Sequence, residues 1–473
     1  MNWKLFFEYR SLKQIKRLWF VLINSIFFIF FASAVFAYPS VVQHGVTIDK
    51  PTDTYDGFTL YTPVSREKGK LLHHVYLVDM QGDVVHSWPV NHSPGLYGFL
   101  LKDSTLLYAG STSNHESLPG GGGGVIQEID WDGNIMWEYK NDFLHHDFDK
   151  LPNGNIMAIM WEPIKTENMD RIRGGIIAKD WDGVTWSDVL IEIDYDTKEI
   201  VWEWHTQDMM QIENYSIDDL NNRNEWTHAN TVEYLPAGNS YNGEESVLTS
   251  FRYLDTVMII NKATGEISWE WGDGILNGQH DSTLLENGNV LLYDNGMHRP
   301  ALKKTQRPNS KVIEVNPQTN EIVWEYQGDG MDGSRFFSGK ISGTQRLPNG
   351  NTLITEGDFG RIFEVKPNGK KEKNKPLYRL KFDNEIVWEY ISPHYSNTAH
   401  LNAIFRSYRY GLDDIDWPVD MPDPRDDTKS FYQILESNKK YIFYTLIGIT
   451  VISVCLNIVF FIRTRRRLVK RRK

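Results

Sequence analysis

The sequence predicts an all-β fold, a six-bladed β-propeller of four-stranded blades, carried between N- and C-terminal transmembrane segments. Three observations predict it. A strand reading acid or amide, Ile/Val, any residue, Trp, Glu, Tyr/Trp recurs along the chain, as in Asn134–Tyr139, Glu199–Trp204, Glu266–Trp271, Glu321–Tyr326 and Glu385–Tyr390, with a weaker first copy at Asp83–Trp88. A hairpin of the form Leu-Pro-Asn-Gly-Asn recurs between these copies. Helical periodicity is weak throughout the body, whereas apolar residues alternate over short runs.

The elements follow in order. Residues 1–17 form a basic N-terminus, read as cytoplasmic. Residues 18–37 are uncharged and suit either a signal peptide, with Val35-Phe36-Ala37 before a cleavage site, or an uncleaved anchor. Gly57–Pro63 is the first strand candidate, and the propeller spans residues 57–410. Each Trp-Glu-Tyr strand is preceded by another, such as Val125–Asp130 or Val312–Asn316. A second hairpin turns at Leu151–Asn155, Leu235–Asn239, Leu285–Asn289 and Leu347–Asn351, with a degenerate version at Leu101–Thr105. At Asn287-Gly288 both residues tolerate positive φ, which is two-residue hairpin chemistry. About four strands per unit, stacked radially, bury each blade against its neighbours. Ring closure is expected between Gly57–Pro63 and the stretch near Ala403–Arg409. Residues 411–440 read as an acidic linker, residues 441–462 as a second uncharged span, and residues 463–473 as a cytoplasmic basic tail. By the positive-inside rule both ends face the cytoplasm, so the propeller is expected on the periplasmic or extracellular side of a cell membrane.

Composition narrows the function. The net charge is −12 although both ends are basic, so the body is strongly acidic. Such a surface repels a phosphate backbone and excludes nucleic acid as a partner. The only cysteine, Cys455, lies in the second apolar run. The body therefore has no disulfide, no thiol nucleophile and no Cys-based zinc site. The run Pro119–Gly124 leads into a strand rather than a helix, and so reads as a flexible loop, not a phosphate cradle.

Aligning the second hairpins on their leucine brings out the candidate site. His146 stands five residues before Leu151, and His280 five before Leu285. Ser342 stands five before Leu347. Asn230 holds this place in the third such unit, with His228 two residues earlier. Residues two apart on a strand share a face, so His228 and Asn230 are expected to point together, and His145 to point away from His146. Equivalent strands of a propeller converge on its axis. Arg252 follows His228 by one hairpin and suits an anion clamp. His400, in His400-Leu401-Asn402, repeats the His-x-Asn pattern, and His298 and Arg299 are placed near the mouth. Asp147 and Asp281 follow two of the histidines directly, but too few carboxylates sit at matched blade positions to favour a metal-dependent hydrolase built on them.

These motifs resemble the bacterial arylsulfate sulfotransferases, in a membrane-anchored form. The resemblance is carried by His145-His146-Asp147 ahead of Leu-Pro-Asn-Gly-Asn, by Trp226-Thr227-His228-Ala229-Asn230, by Ser250-Phe251-Arg252, and by Gln279-His280 leading to Asp294-Asn295-Gly296. It implies a six-bladed propeller that moves a sulfuryl group from an aryl sulfate to a phenol by a ping-pong route through a sulfated histidine. No nucleotide sulfate, metal or other cofactor is implied. It further implies His280 as nucleophile, with His146, His228 and Arg252 holding the sulfate oxygens and the leaving phenolate. Asn230, His400 and Asn295 are expected to bind substrate. The alternative is a membrane-tethered propeller that binds a ligand or protein without chemistry. That alternative expects scattered histidines, where the enzyme needs them in one pocket.

Overall fold

The computed structural model describes residues 44–425, apart from 65, 68–69, 72, 113–117, 180, 300–308, 329–335, 369–382 and 395–401. The two apolar runs, the basic ends and His400 lie outside the described residues. Among the described residues no helix is long and apolar enough to cross a membrane.

From Gly45 onward the chain folds as six antiparallel sheets that make a six-bladed propeller. Blade 1 is closed by the two ends of the ring. Ile404–Tyr410 supplies its innermost strand and pairs antiparallel with Phe58–Pro63, followed by His74–Val78 and Val84–Pro89. Blade 2 runs Ser93–Leu100, Leu106–Ser111, Gly124–Ile129 and Ile135–Lys140. Blade 3 runs Leu144–Lys150, Ile156–Pro163, Trp186–Ile193 and Ile200–His205. Blade 4 runs Ala229–Leu235, Ser246–Phe251, Thr256–Asn261 and Ile267–Trp271. Blade 5 runs His280–Leu284, Val290–Asp294, Lys311–Asn316 and Glu321–Tyr326. Blade 6 runs Ser342–Arg346, Thr352–Glu356, Arg361–Asn368 and Asp383–Ile391, and Gly45–Asp49 adds a fifth, outermost strand.

The repeated tryptophan explains why the units stack. It sits on the outermost core strand of its blade, and its indole N–H reaches the following blade. Trp137 Nε1 donates to the Tyr195 carbonyl at 2.7 Å and Trp202 Nε1 to that of Lys262 at 3.0 Å. Trp269 Nε1 donates to Asn320 Oδ1 at 2.9 Å and Trp324 Nε1 to Asn384 Oδ1 at 3.2 Å. Trp388 Nε1 closes the circle on the Met80 carbonyl of blade 1 at 3.0 Å. In the weak first copy His86 takes the tryptophan's place, with Nε2 3.0 Å from the Trp131 carbonyl of blade 2. A large apolar ring with one donor suits such a seam, because the ring fills the inter-blade core while the N–H finds a partner.

The Leu-Pro-Asn-Gly-Asn hairpins join the first strand of a blade to the second. Their turn differs from the expected two-residue type. Gly288 N–H bonds back to the Leu285 carbonyl at 2.9 Å, and only the glycine takes the left-handed backbone, at φ 80°. The asparagines act through their side chains instead. Asn287 Oδ1 accepts the Asn289 N–H, and the Asn289 amide holds buried Glu314 of the third strand at 2.6 Å. The same grip recurs from Asn155 to Glu192 and from Asn351 to Glu364.

The first strands line the axis, and in several blades their regular pairing is interrupted, as it is also between the third and outer core strands. The ladder slips between Leu144 and Phe148 in blade 3, between Ala229 and Thr231 in blade 4, and between His280 and Thr283 in blade 5. The slips in blades 3 and 5 contain His146 and His280, and the one in blade 4 directly follows His228. Bulges of this kind re-aim side chains and abolish strict alternation.

Candidate active site

Because of those bulges, adjacent residues enter the same space. His145 does not point away from His146. Their ring centroids are 4.2 Å apart, and His145 lies 5.1 Å from the ring of His228. His228 itself has φ 50°, and this turn sends Asn230 elsewhere than expected. The Asn230 amide donates to the Gln279 carbonyl at 2.7 Å, tying blade 4 to blade 5 instead of facing a substrate.

A cavity of about 470 Å³ opens at this end of the axis. His146, His228, His280 and Arg252 all line it. So do Leu96 and Phe405, which occupy in blades 2 and 1 the place that His146 and His280 hold in theirs. Tyr253, Met297 and Ile341 add apolar wall, and His298 and Lys340 are polar members. Arg299 turns away to pair with Asp294 and the Asn309 carbonyl. One side of the cavity comes from the connection between blades 3 and 4 and the segment of blade 3 that it pairs with. In that connection Ser216–Asn222 pairs with Arg173–Ile176, which is inserted in blade 3, and carries Leu220, Asn221 and Asn222 into the wall.

The glycine run is part of this wall, not a free loop. A Cβ on Gly121 would stand 2.5 Å from His145 Nε2 and 3.0 Å from His146 Cδ2, and one on Gly123 would meet the His145 carbonyl at 2.3 Å. Glycine is needed because the backbone lies directly on the two histidines.

His280 is held by acceptors only. Its Nδ1 is 2.8 Å from Asn295 Oδ1 and 3.1 Å from the Gly278 carbonyl. The Asn295 amide cannot be reversed, since Nδ2 donates to the Ser338 carbonyl at 2.6 Å and reaches Ser342 Oγ at 3.1 Å. Nδ1 therefore carries the proton, and Nε2 keeps its lone pair. Burial, and after it the Arg252 charge, holds the imidazole well below its usual pKa, so it is neutral at pH 7. Asn295 is thus an orienting group rather than a wall of the cavity.

His228 is held differently. Its Nδ1 bonds to the carboxyl of Glu225, a buried residue of the cavity wall that the sequence reading passed over. Burial pushes Glu225 up to about 8, partly offset by Arg252, while burial and Arg252 push His228 down. Asp188 fixes the strained turn from below. Its Oδ2 accepts Thr227 Oγ1 and the Ala229 N–H, both at 2.6 Å, on either side of His228.

Arg252 follows the second strand of blade 4, and its backbone N–H donates to the His228 carbonyl at 3.0 Å. The guanidinium lies 5.4 Å from the centre of the Tyr253 ring, and its Nε is buried without a hydrogen-bond partner. No described carboxylate forms an ion pair with it, which leaves it available to an anion.

The two aspartates are used up in the axis. Arg406, fully enclosed, puts NH1 2.6 Å from Asp147 Oδ1 and Nε 2.9 Å from Asp281 Oδ1. Asp147 also accepts the Val232 N–H and Asp281 the Thr344 N–H of the next blade. A Cβ at Gly343 would press on Arg406 at 2.9 Å. Both carboxylates are engaged in this way, and neither lines the cavity. His145, His146 and His228 do bring ring nitrogens within 4.8 Å of one another, but Glu225 already occupies Nδ1 of His228, and we assign no metal to the three.

The family model described as arylsulfotransferase (ASST) matches residues 99–373, more than half of the chain. The chain belongs to the arylsulfotransferase family. It is a transferase of that kind, and the matched region holds His146, His228, His280 and Arg252, whereas His400, Phe405 and Arg406 lie beyond it. No curated protein sequence matches the chain. Solved structures similar to this family member include a protein of unknown function from Bacteroides caccae, at 13% identity over 64% of this chain and 84% of that one, with a TM-score of 0.38. A virginiamycin B lyase from Staphylococcus aureus is 12% identical over 69% and 86%, with a TM-score of 0.37. The hydrazine synthase of Kuenenia stuttgartiensis is 14% identical over 62% and 70%, also at 0.37.

Proposed function

We propose that the protein transfers a sulfuryl group from an aryl sulfate to a phenol by a ping-pong route through a sulfated His280. The observation that carries this reading is the gathering of His280, His146, His228 and Arg252 on one cavity, with Nε2 of His280 left as a bare lone pair. Nε2 attacks sulfur, the S–O bond to the aryl group breaks, and its electron pair leaves on the phenolate oxygen. The sulfated ring keeps its Nδ1 proton, and the positive charge that develops is met by Asn295 Oδ1 and the Gly278 carbonyl. A phenol then attacks sulfur, the S–N bond breaks and the pair returns to Nε2. Displacement of this kind resembles phosphoryl transfer, where positioning and charge stabilisation dominate. The Arg252 guanidinium takes sulfate oxygens, His146 and His228 present N–H donors, and Phe405 and Tyr253 wall the aryl group.

The basic ends flanking residues 18–37 and 441–462 support a second part of the reading. The propeller is held at a cell membrane on its extracytoplasmic face.

The experiment uses a chromogenic aryl sulfate, with and without a phenolic acceptor, on the wild type and His280→Ala. Phenol release stimulated by acceptor, falling at least about 10³-fold in the variant, is expected. Release that persists unchanged in His280→Ala removes the nucleophile from this scheme. A ligand-binding propeller would give no release with any donor.

A further inference from the structure

We infer that Glu225 is the proton-holding partner of His228, and that the two act as one acid–base unit serving the aryl oxygen. The inference rests on the sulfuryl-transfer reading and adds a residue to it. Two histidines of one cavity have opposite partners. His280 has an amide oxygen and a carbonyl on Nδ1, which can only accept, so its Nε2 cannot gain a proton by exchange with them. His228 has a carboxyl on Nδ1, which can hold or release a proton. When the Glu225–His228 pair is neutral overall, Nε2 of His228 bears a hydrogen wherever the shared proton sits, on Oε2 or on Nδ1. Nε2 is then a donor aimed at the cavity. Asp188 keeps the ring in place through Thr227 and Ala229, and the His228 ring lies nearly parallel to Tyr253, at 12° and 5.1 Å. Arg252 is the only described cation to weigh on both members of the pair.

The proton count closes. In the first half-reaction the S–O(aryl) bond breaks and the phenolate oxygen takes the Nε2 proton of His228. The pair is left with one proton, on Nδ1 and shared with ionised Glu225. In the second half-reaction the acceptor phenol returns a proton to Nε2 as its oxygen attacks sulfur. The pair is restored, and no outside acid or base is consumed.

A proton donor matters most when the leaving phenol is weakly acidic. The test is therefore the dependence of kcat/KM on leaving group, measured on the full chain with 4-nitrophenyl sulfate through to phenyl sulfate. Glu225→Gln is expected to lose about 10²-fold or more on phenyl sulfate but under about tenfold on 4-nitrophenyl sulfate, so the dependence steepens. An equal loss on every donor would mean that Glu225 only holds the fold, and would overturn the inference. Thermal melting establishes that the variant is folded. If it is not, Glu225→Asp, which shortens the reach to Nδ1, decides in its place: a steeper dependence supports the inference and an unchanged one overturns it. Absence of turnover in the wild type would defeat the sulfuryl-transfer reading along with it, whereas a uniform loss in an active enzyme defeats the role of Glu225 alone.

Discussion

The outer and inner rings of this propeller are built from the same repeat but treat it in opposite ways. On the outer strands six equivalent positions do one job. Five tryptophans and His86 each reach across to the next blade. On the inner strands the six matched positions hold five residue types, Leu96, His146, Asn230, His280, Ser342 and Phe405, and the two histidines have different partners. Four of them line the cavity, and the amide of Asn230 and the hydroxyl of Ser342 lock neighbouring parts in place. Repetition makes a fold, because every unit must present the same seam to the next. A site needs the repeat to be broken, because a nucleophile, a donor and an apolar wall cannot be the same side chain.

If that contrast is right, inner positions are singular and outer ones redundant. The largest stability effect is expected at Arg406. Arg406→Met removes one guanidinium and strands two buried carboxylates, Asp147 and Asp281, that it pairs with. Breaking a buried ion pair from one side costs about 3–5 kcal/mol. Denaturant titration checks it, and a loss below about 1 kcal/mol would mean that the axis is not held by this arginine. A smaller loss, about 1–2 kcal/mol, is expected for Trp269→Phe, which gives up the bond to Asn320 and some ring volume in one seam of six. Turnover should be unchanged, since this seam lies outside the cavity lining. A loss as large as that of Arg406→Met, or a fall in kcat, would erase the distinction between the rings.

The same contrast governs what was legible in the sequence. The outer ring was readable but for its extra strand Gly45–Asp49, because the Trp-Glu-Tyr motif repeats in the sequence even though each of these strands carries a register shift against its neighbour. Ring closure followed from counting, and Ile404–Tyr410 does pair with Phe58–Pro63. The matched offset from the hairpin leucine found His146 and His280, and extended by one more blade it reaches Phe405. Reasoning by alternation failed at the bulges of the inner strands of blades 3 and 4. It turned His145 outward and Asn230 inward, and the structure reverses both. Glu225 left a faint trace, an acid three residues before a histidine, which only the turn at His228 converts into a bond. Pro119–Gly124 was misread because a glycine run looks the same whether it is free or pressed against a histidine.

The smallest expected effect separates the rings by the sign of a pH dependence. Inner His280 is buried among groups that do not compensate it, and its pKa lies well below the usual value. The unfolded chain takes up its proton first as pH falls through about 6.5, so this group destabilises the fold on acidification. Outer His205, at the end of Ile200–His205, is the reverse case. Burial alone would lower it, but its bonds to Glu162 and Glu203 raise it above the usual value. Its contribution is fully present below about 6.5 and is lost as pH rises through its folded pKa. His205→Gln should therefore lower the melting temperature slightly near pH 5.5 and leave it unchanged near pH 8.5. The imidazole is 36% exposed, so solvent screening keeps the effect small. A variant that loses as much at pH 8.5 as at pH 5.5 would show that His205 contributes through packing rather than charge, and the electrostatic half of the contrast would fall.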